Sequence, residues 1–282
     1  MRAVYEFRVP EQFANRLFRP DEGRKLKEHL RLIHLQDDDP RLPSVGTLQR
    51  TIYRETGRQF YYGWSIHRLY DPRELECAPC FLVRPTAVFG PCGQECRTKY
   101  DESSACPRCG SGARRAGPLV LQIGRIPRSK DFAQTIARGD EIVVSRRAVE
   151  LFQRSHVTGV DFEPVRSARA RTRPSEDWFV LNVRSAAADI VPPTRVGVEP
   201  FDDDHNGGAC PLGDLLGLNL LSEVYISAKS RADADFVASR QYVGMRNGLL
   251  RPQHVILISQ TVRRLIESEN LTGLEVEVAH VV

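Results

Sequence analysis

Six of the seven cysteines in this 282-residue sequence lie between Cys77 and Cys109, and no other stretch gathers so many residues able to do chemistry. They fall in pairs: Cys77-Ala78-Pro79-Cys80, Cys92-Gly93-Gln94-Glu95-Cys96 and Cys106-Pro107-Arg108-Cys109-Gly110. Two residues between cysteines let both sulfurs reach one tetrahedral ion, and a following glycine lets backbone amides turn toward the thiolates. The Cys106/Cys109 pair therefore points to zinc, and a four-thiolate site requires a second pair. Cys92 and Cys96, with nine residues between the pairs, are the nearer choice; Cys77 and Cys80, across a 25-residue loop, are the alternative. The expected ligands are thus Cys92, Cys96, Cys106 and Cys109, with the Cys77/Cys80 pair left open. Catalytic zinc usually takes His or carboxylate ligands and keeps one position free. No histidine occurs between His67 and His156, which favours a structural ion. Cys77 and Cys80 also have the spacing of a redox dithiol, but without the strand-turn-helix setting of one.

Elsewhere the sequence offers less. Asp202-Asp203-Asp204-His205 has the residue types for a divalent cation or for general acid/base work. Consecutive carboxylates alternate in direction, however, and the run into Asn206-Gly207-Gly208 reads as a solvated loop. Cys210, beside Pro211, reads as a small buried hydrophobe. No Gly-x-Ser-x-Gly elbow, phosphate-binding Gly-Lys-Ser/Thr loop or His-Glu-x-x-His helix occurs, so nothing here is an enzyme signature.

The elements that must position these residues fall into three regions. In residues 1–75, Pro20-Asp21 is expected to open a helix with Leu26, Leu30 and Ile33 on one face. After Asp37-Asp38-Asp39-Pro40, Ser44 is expected to cap a second helix with Val45, Leu48 and Ile52 inward, closed by Gly57. Alternate residues Phe60, Tyr62, Trp64 and Ile66 predict a strand with one apolar face. The two helices have the order of a helix-turn-helix, whose second helix would offer Thr47, Gln49, Arg50 and Arg54 to a nucleic-acid groove. The connection between them is longer than such motifs use and is acidic.

Residues 76–118 form a loop-rich cysteine segment that needs a cross-link to be ordered. Residues 119–282 contain two similar stretches 114 residues apart, Ile142–Glu163 and Ile256–Glu277. Each reads as strand, serine-capped helix, Thr-Gly turn and strand, and each is too small to bury its own apolar face. The expectation is a duplicated unit packed into a shared α/β core. The whole chain is accordingly expected to be α+β, with α/β as the other possibility.

A net charge of +4 and a pI near 8.7 are mildly basic, below what a dedicated nucleic-acid binder carries. Around the cysteines Arg97, Lys99 and Arg108 are balanced by Glu95, Asp101 and Glu102. The first residues lack the apolar stretch of a secretory signal, and no apolar run approaches the roughly 20 residues that span a bilayer. The expectation is a cytoplasmic protein with reduced thiols and no membrane partner.

Cysteine pairs ending in Cys106-x-x-Cys109-Gly110, followed by a C-terminal strand-Ser-helix-Thr-Gly-strand unit, resemble the bacterial double-CxxCG proteins, some of which are immunity proteins that neutralise a toxin. The clear Cys-x-x-Cys-Gly occurs once here, and the cysteines are closer together than in that pattern. The resemblance implies a non-catalytic, zinc-stabilised bacterial protein that binds a protein partner, with a toxin as one candidate. The alternative is a nucleic-acid-binding regulator using the N-terminal helices, with Gln49, Arg50 and Arg54, and the ribbon.

Overall fold

The structure is a computed structural model that describes residues 1–27, 29–169, 173–201, 210–217, 219–230 and 232–282. It is mostly β, with 39% of residues in strands against 18% in helices. The expected α+β or α/β chain with a helical N-terminal region is thereby corrected. Residues 1–77 and 199–203 make one compact unit, and residues 78–198 and 204–282 make another.

The first unit contains β1 (Arg2–Pro10), α1 (Glu11–Ala14), β2 (Arg24–Lys27), β3 (Leu30–Gln36), α2 (Leu42–Thr56), β4 (Trp64–Leu69) and α3 (Pro72–Cys77). Its strands form one antiparallel sheet in the order β2-β3-β1-β4, with Phe7 opposite Ile33 on one side and Trp64 on the other. Where a first helix was expected there is the β2–β3 hairpin. Leu26, Leu30 and Ile33 do fall at helical spacing, but Arg31, Ile33 and Leu35 alternate equally well. Pairing with β1 decides between the two periods, because it buries Ile33 and Leu35 beside Phe7 and Val9. Arg31 joins the same buried set by ion-pairing with Glu11 and donating to the carbonyl of Arg19 at 2.7 Å.

Helix α2 lies where expected, with Val45 and Ile52 buried and Gly57 in the left-handed conformation at its end. It starts at Leu42 rather than after Ser44, and no side chain caps it. Phe60 and Tyr61 are both buried, so the expected alternation from Phe60 fails and the strand begins at Trp64.

The second unit runs through β5 (Cys80–Pro85), β6 (Val88–Phe89), β7 (Tyr100–Asp101), β8 (Arg114–Arg115), β9 (Val120–Leu121), β10 (Phe132–Thr135), β11 (Ile142–Ser145), α4 (Arg146–Arg154), β12 (Val160–Ser167) and β13 (Pro174–Val183). It continues with β14 (Ala186–Ala188), β15 (Val196–Gly197), β16 (Leu215–Leu216), β17 (Asn219–Leu220), β18 (Val224–Ile226), β19 (Phe236–Gly244), β20 (Gln253–Ile258), α5 (Gln260–Ser268) and β21 (Leu274–Val281).

Two larger sheets organise it, β6-β10-β11-β13-β12-β9 and β14-β19-β20-β5-β21-β18, the second with β16 also paired to β19. Step for step the two orders match in direction. Both begin and end on a parallel pair and are antiparallel between. Strand β5 lies in the second sheet yet leads into β6 of the first; β13 lies in the first yet leads into β14 of the second. The strand-helix-strand stretches read from the sequence are therefore pieces of two larger β-sheets. They are not a self-contained α/β core, because β13 and β5 lie between the paired strands of each.

Two carboxylates tie the halves of this unit together. Asp131 accepts from Ser145 Oγ at 2.8 Å and from the amide of Thr272 at 3.0 Å. Asp235 accepts from Ser259 Oγ at 2.7 Å and from the amide and hydroxyl of Thr158, both at 2.9 Å. Each serine also caps its helix, accepting from Ala148 or Val262. The Thr-Gly turns must be glycine for a second reason. Gly159 and Gly273 have φ of 82° and 94°, and a Cβ there would stand 2.2 Å from the carbonyl O of Phe236 and 2.1 Å from that of Phe132.

Candidate metal centre

Strands β7 and β8 pair antiparallel, Tyr100 opposite Arg115, and the loop between them carries Cys106 and Cys109. That loop is a tight turn. The amide of Gly110 donates to the carbonyl of Cys106, and the amide of Cys106 to that of Ser111, both at 2.8 Å. Backbone amides of Cys109 and Arg108 point at the Cys106 sulfur and hold its thiol below the usual cysteine value. The sulfurs of Cys106 and Cys109 lie within 4.8 Å of each other.

The third sulfur comes from a distant segment. Cys210 precedes β16, which is anchored by pairing Leu215 with Val243 of β19. Its Sγ is 3.8 Å from that of Cys106 and 3.5 Å from that of Cys109, and all three lie within 4.8 Å of one another. All three are buried, none more than 6% exposed. With Zn–S bonds of about 2.3 Å, the edge of a tetrahedron between two sulfurs is about 3.8 Å. The observed separations are therefore those of ligands around one ion. Burial pushes the Cys210 thiol up to about 11, a cost that an adjacent cation removes by stabilising the thiolate. The three sulfurs are placed to hold a metal ion.

Cys210 was read from the sequence as a buried hydrophobe, and its local context gives no other sign. The signal lies at a distance: Cys106-Pro107 and Cys210-Pro211 are 104 residues apart, as are Asp131-Phe132 and Asp235-Phe236. That register shifts to 114 within the longer β19–β20 hairpin, which is why the matching stretches further on do not expose it.

Cys92 and Cys96 are not members of this cluster. Both are buried, and burial raises both thiols. Their turn rests instead on Glu141, whose carboxylate accepts from the amide of Gly93 at 2.9 Å, from Thr135 Oγ1 at 2.6 Å and from the Tyr100 hydroxyl. Burial raises the Glu141 carboxyl, and these donors work against that rise. Cys77 is exposed at the end of α3, while Cys80 is buried in β5 with its sulfur 3.6 Å from the carbonyl of Ala279. Asp202 to His205 lie outside the described residues.

The residues expected to read nucleic acid divide. Gln49 is buried, and its Oε1 accepts from the amides of Phe60 at 2.8 Å and Tyr61 at 3.3 Å, so it serves the fold. Arg50 and Arg54 are exposed on α2. Because β2 and β3 replace the first helix, α2 is not the second helix of a helix-turn-helix.

No known protein-family model and no curated protein sequence matches this chain.

Proposed function

We propose that this chain is a non-enzymatic binding protein whose second unit is held together by a structural zinc ion on Cys106, Cys109 and Cys210. The observation that carries this reading is the seclusion of the three sulfurs, which belong to two loops about a hundred residues apart in sequence. A catalytic ion needs an open position that substrate can reach, and three sulfurs buried between two loops suit a cross-link. A thiolate-rich donor set suits zinc, as it does iron or Cu(I); zinc is the reading taken because a buried cross-link between loops is the use that structural zinc serves, and metal analysis of the purified protein decides it.

The resemblance to double-CxxCG proteins supplies the partner: a protein, with a toxin as the class to try first. The nucleic-acid alternative has weaker support, because Gln49 is used internally and the helix pair that would enter a groove is absent. Among the described residues no helix is long and apolar enough to cross a membrane. The test has two parts. Purified protein should carry one zinc per chain, and it should capture a protein partner at micromolar concentration or tighter when titrated against candidate toxins. Salt-sensitive retention of DNA without any protein partner would overturn the binding assignment in favour of the alternative.

A further inference from the structure

We infer that Asp214 is the fourth ligand of the metal, completing a three-sulfur, one-oxygen site; this rests on the zinc reading above. Its carboxylate Oδ2 lies 3.3 Å from Cys210 Sγ and 3.8 Å from Cys109 Sγ. For Zn–S near 2.3 Å and Zn–O of 2.0–2.2 Å, a tetrahedral S···O edge is about 3.6 Å, midway between the two. The oxygen is not one of the group within 4.8 Å, so closing on an ion requires the side chain to turn toward Cys106.

The surroundings of Asp214 support the assignment. The residue is 9% exposed, and among the described residues no lysine or arginine forms an ion pair with it. Its contacts are Ser111 Oγ at 2.5 Å, the amide of Tyr242 at 2.9 Å and the two sulfurs. A buried carboxylate normally needs a cation beside it, and a carboxylate packed against thiols gains one only when a metal binds. Ser111 and Tyr242 orient it, as partners of metal-binding carboxylates do.

The sequence around the two loops gives an independent reason. Cys106-Pro107-Arg108-Cys109 faces Cys210-Pro211-Leu212-Gly213, so the second loop has glycine where the first has its second cysteine. That loop can offer only one sulfur, and the next residue is Asp214. Its amide and that of Leu212 point at Cys210 Sγ, as those of Arg108 and Cys109 do at Cys106.

The test uses zinc-loaded full-length protein and zinc K-edge absorption. The wild type should show three sulfurs near 2.3 Å and one oxygen near 2.0–2.2 Å. Asp214→Cys should convert this to four sulfurs at unchanged stoichiometry. The near-isosteric Asp214→Asn, checked for native circular dichroism, should weaken zinc at least tenfold in competition with a chromophoric chelator. Three sulfurs and one oxygen persisting in Asp214→Cys, or zinc affinity within twofold of wild type in Asp214→Asn, would overturn the assignment of Asp214. In that case Cys210→Ser would still abolish binding, and the zinc reading would stand. Wild-type protein that binds no zinc would instead remove both.

Discussion

Gln49 and Cys210 carry the sharpest expectations for single residues. Gln49 satisfies two consecutive buried amides, so Gln49→Ala leaves donors without partners and should cost about 2–4 kcal/mol in urea unfolding; a change below 0.5 kcal/mol would show that water replaces it freely. Cys210→Ser should remove stoichiometric zinc, whereas Cys92→Ser and Cys96→Ser should keep one ion per chain while lowering stability through their buried sites. Loss of zinc in the Cys92 variant would restore that pair to the site. Cys106 and Cys109 were legible because their chemistry is local: two residues between them and a glycine after. Cys210 was not, since its role depends on a loop 104 residues away and its neighbours Pro211 and Leu212 suggest only burial. Gln49 misled for the opposite reason. Its position on α2 suits an exposed contact, but its amide is used by a chain segment eleven residues downstream, and only the tertiary packing reveals that.

At the level of elements, the serine-capped helices and Thr-Gly turns work as clips between the halves of the second unit. Burial raises the Asp235 carboxyl, but hydrogen bonds from Ser259 and Thr158 outweigh this and hold it below the usual carboxylate value. A depressed folded-state value means the stabilisation is present in full above the unfolded aspartate value of about 3.9 and is lost as pH falls through the lower folded value. Asp235→Asn should therefore be less stable than wild type by about 1–2 kcal/mol at pH 6, and the gap should narrow toward pH 3. An equal gap at both pH values would mean that charge plays no part. Gly273→Ala meets a carbonyl oxygen and a strained φ together, and should destabilise by about 3 kcal/mol or more; thermal unfolding within 2 °C of wild type would contradict the geometry. These caps and turns could be read from the sequence because each involves a few consecutive residues. The β2–β3 hairpin could not, since Leu26, Leu30 and Ile33 satisfy a helix as well as Ile33 and Leu35 satisfy a strand. Likewise, nothing near Cys80–Pro85 says that it will lie between β20 and β21.

For the whole molecule, the three-cysteine cluster belongs to one of two compact units, and removal of the zinc proposed for it should be felt there. Zinc binding to folded protein adds to stability by mass action. Chelation should thus lower the unfolding midpoint of residues 78–198 and 210–282 and raise amide exchange in the Cys106 and Cys210 loops. Protection in the β1–β3–β4 sheet should stay as it was. Uniform loss of protection across both units would show that the ion supports the entire chain. The mostly β character was hidden from the sequence because many of its strands are only two to four residues long, too short for periodicity to register.

The crossing of β5 into the second sheet also sets a timetable. The first sheet draws all its strands from residues 88–183, so it is complete once β13 has emerged from the ribosome. Strand β5, with its apolar Phe81-Leu82-Val83, is made before any of these, yet its partners β20 and β21 are among the last segments synthesised. At roughly 5–20 residues per second, that strand waits about 10–40 s for its neighbours. Throughout that interval the nascent chain carries an unpaired hydrophobic strand, for the later part of it with the first sheet already complete, and that strand is where a chaperone, or a second nascent chain, would find it.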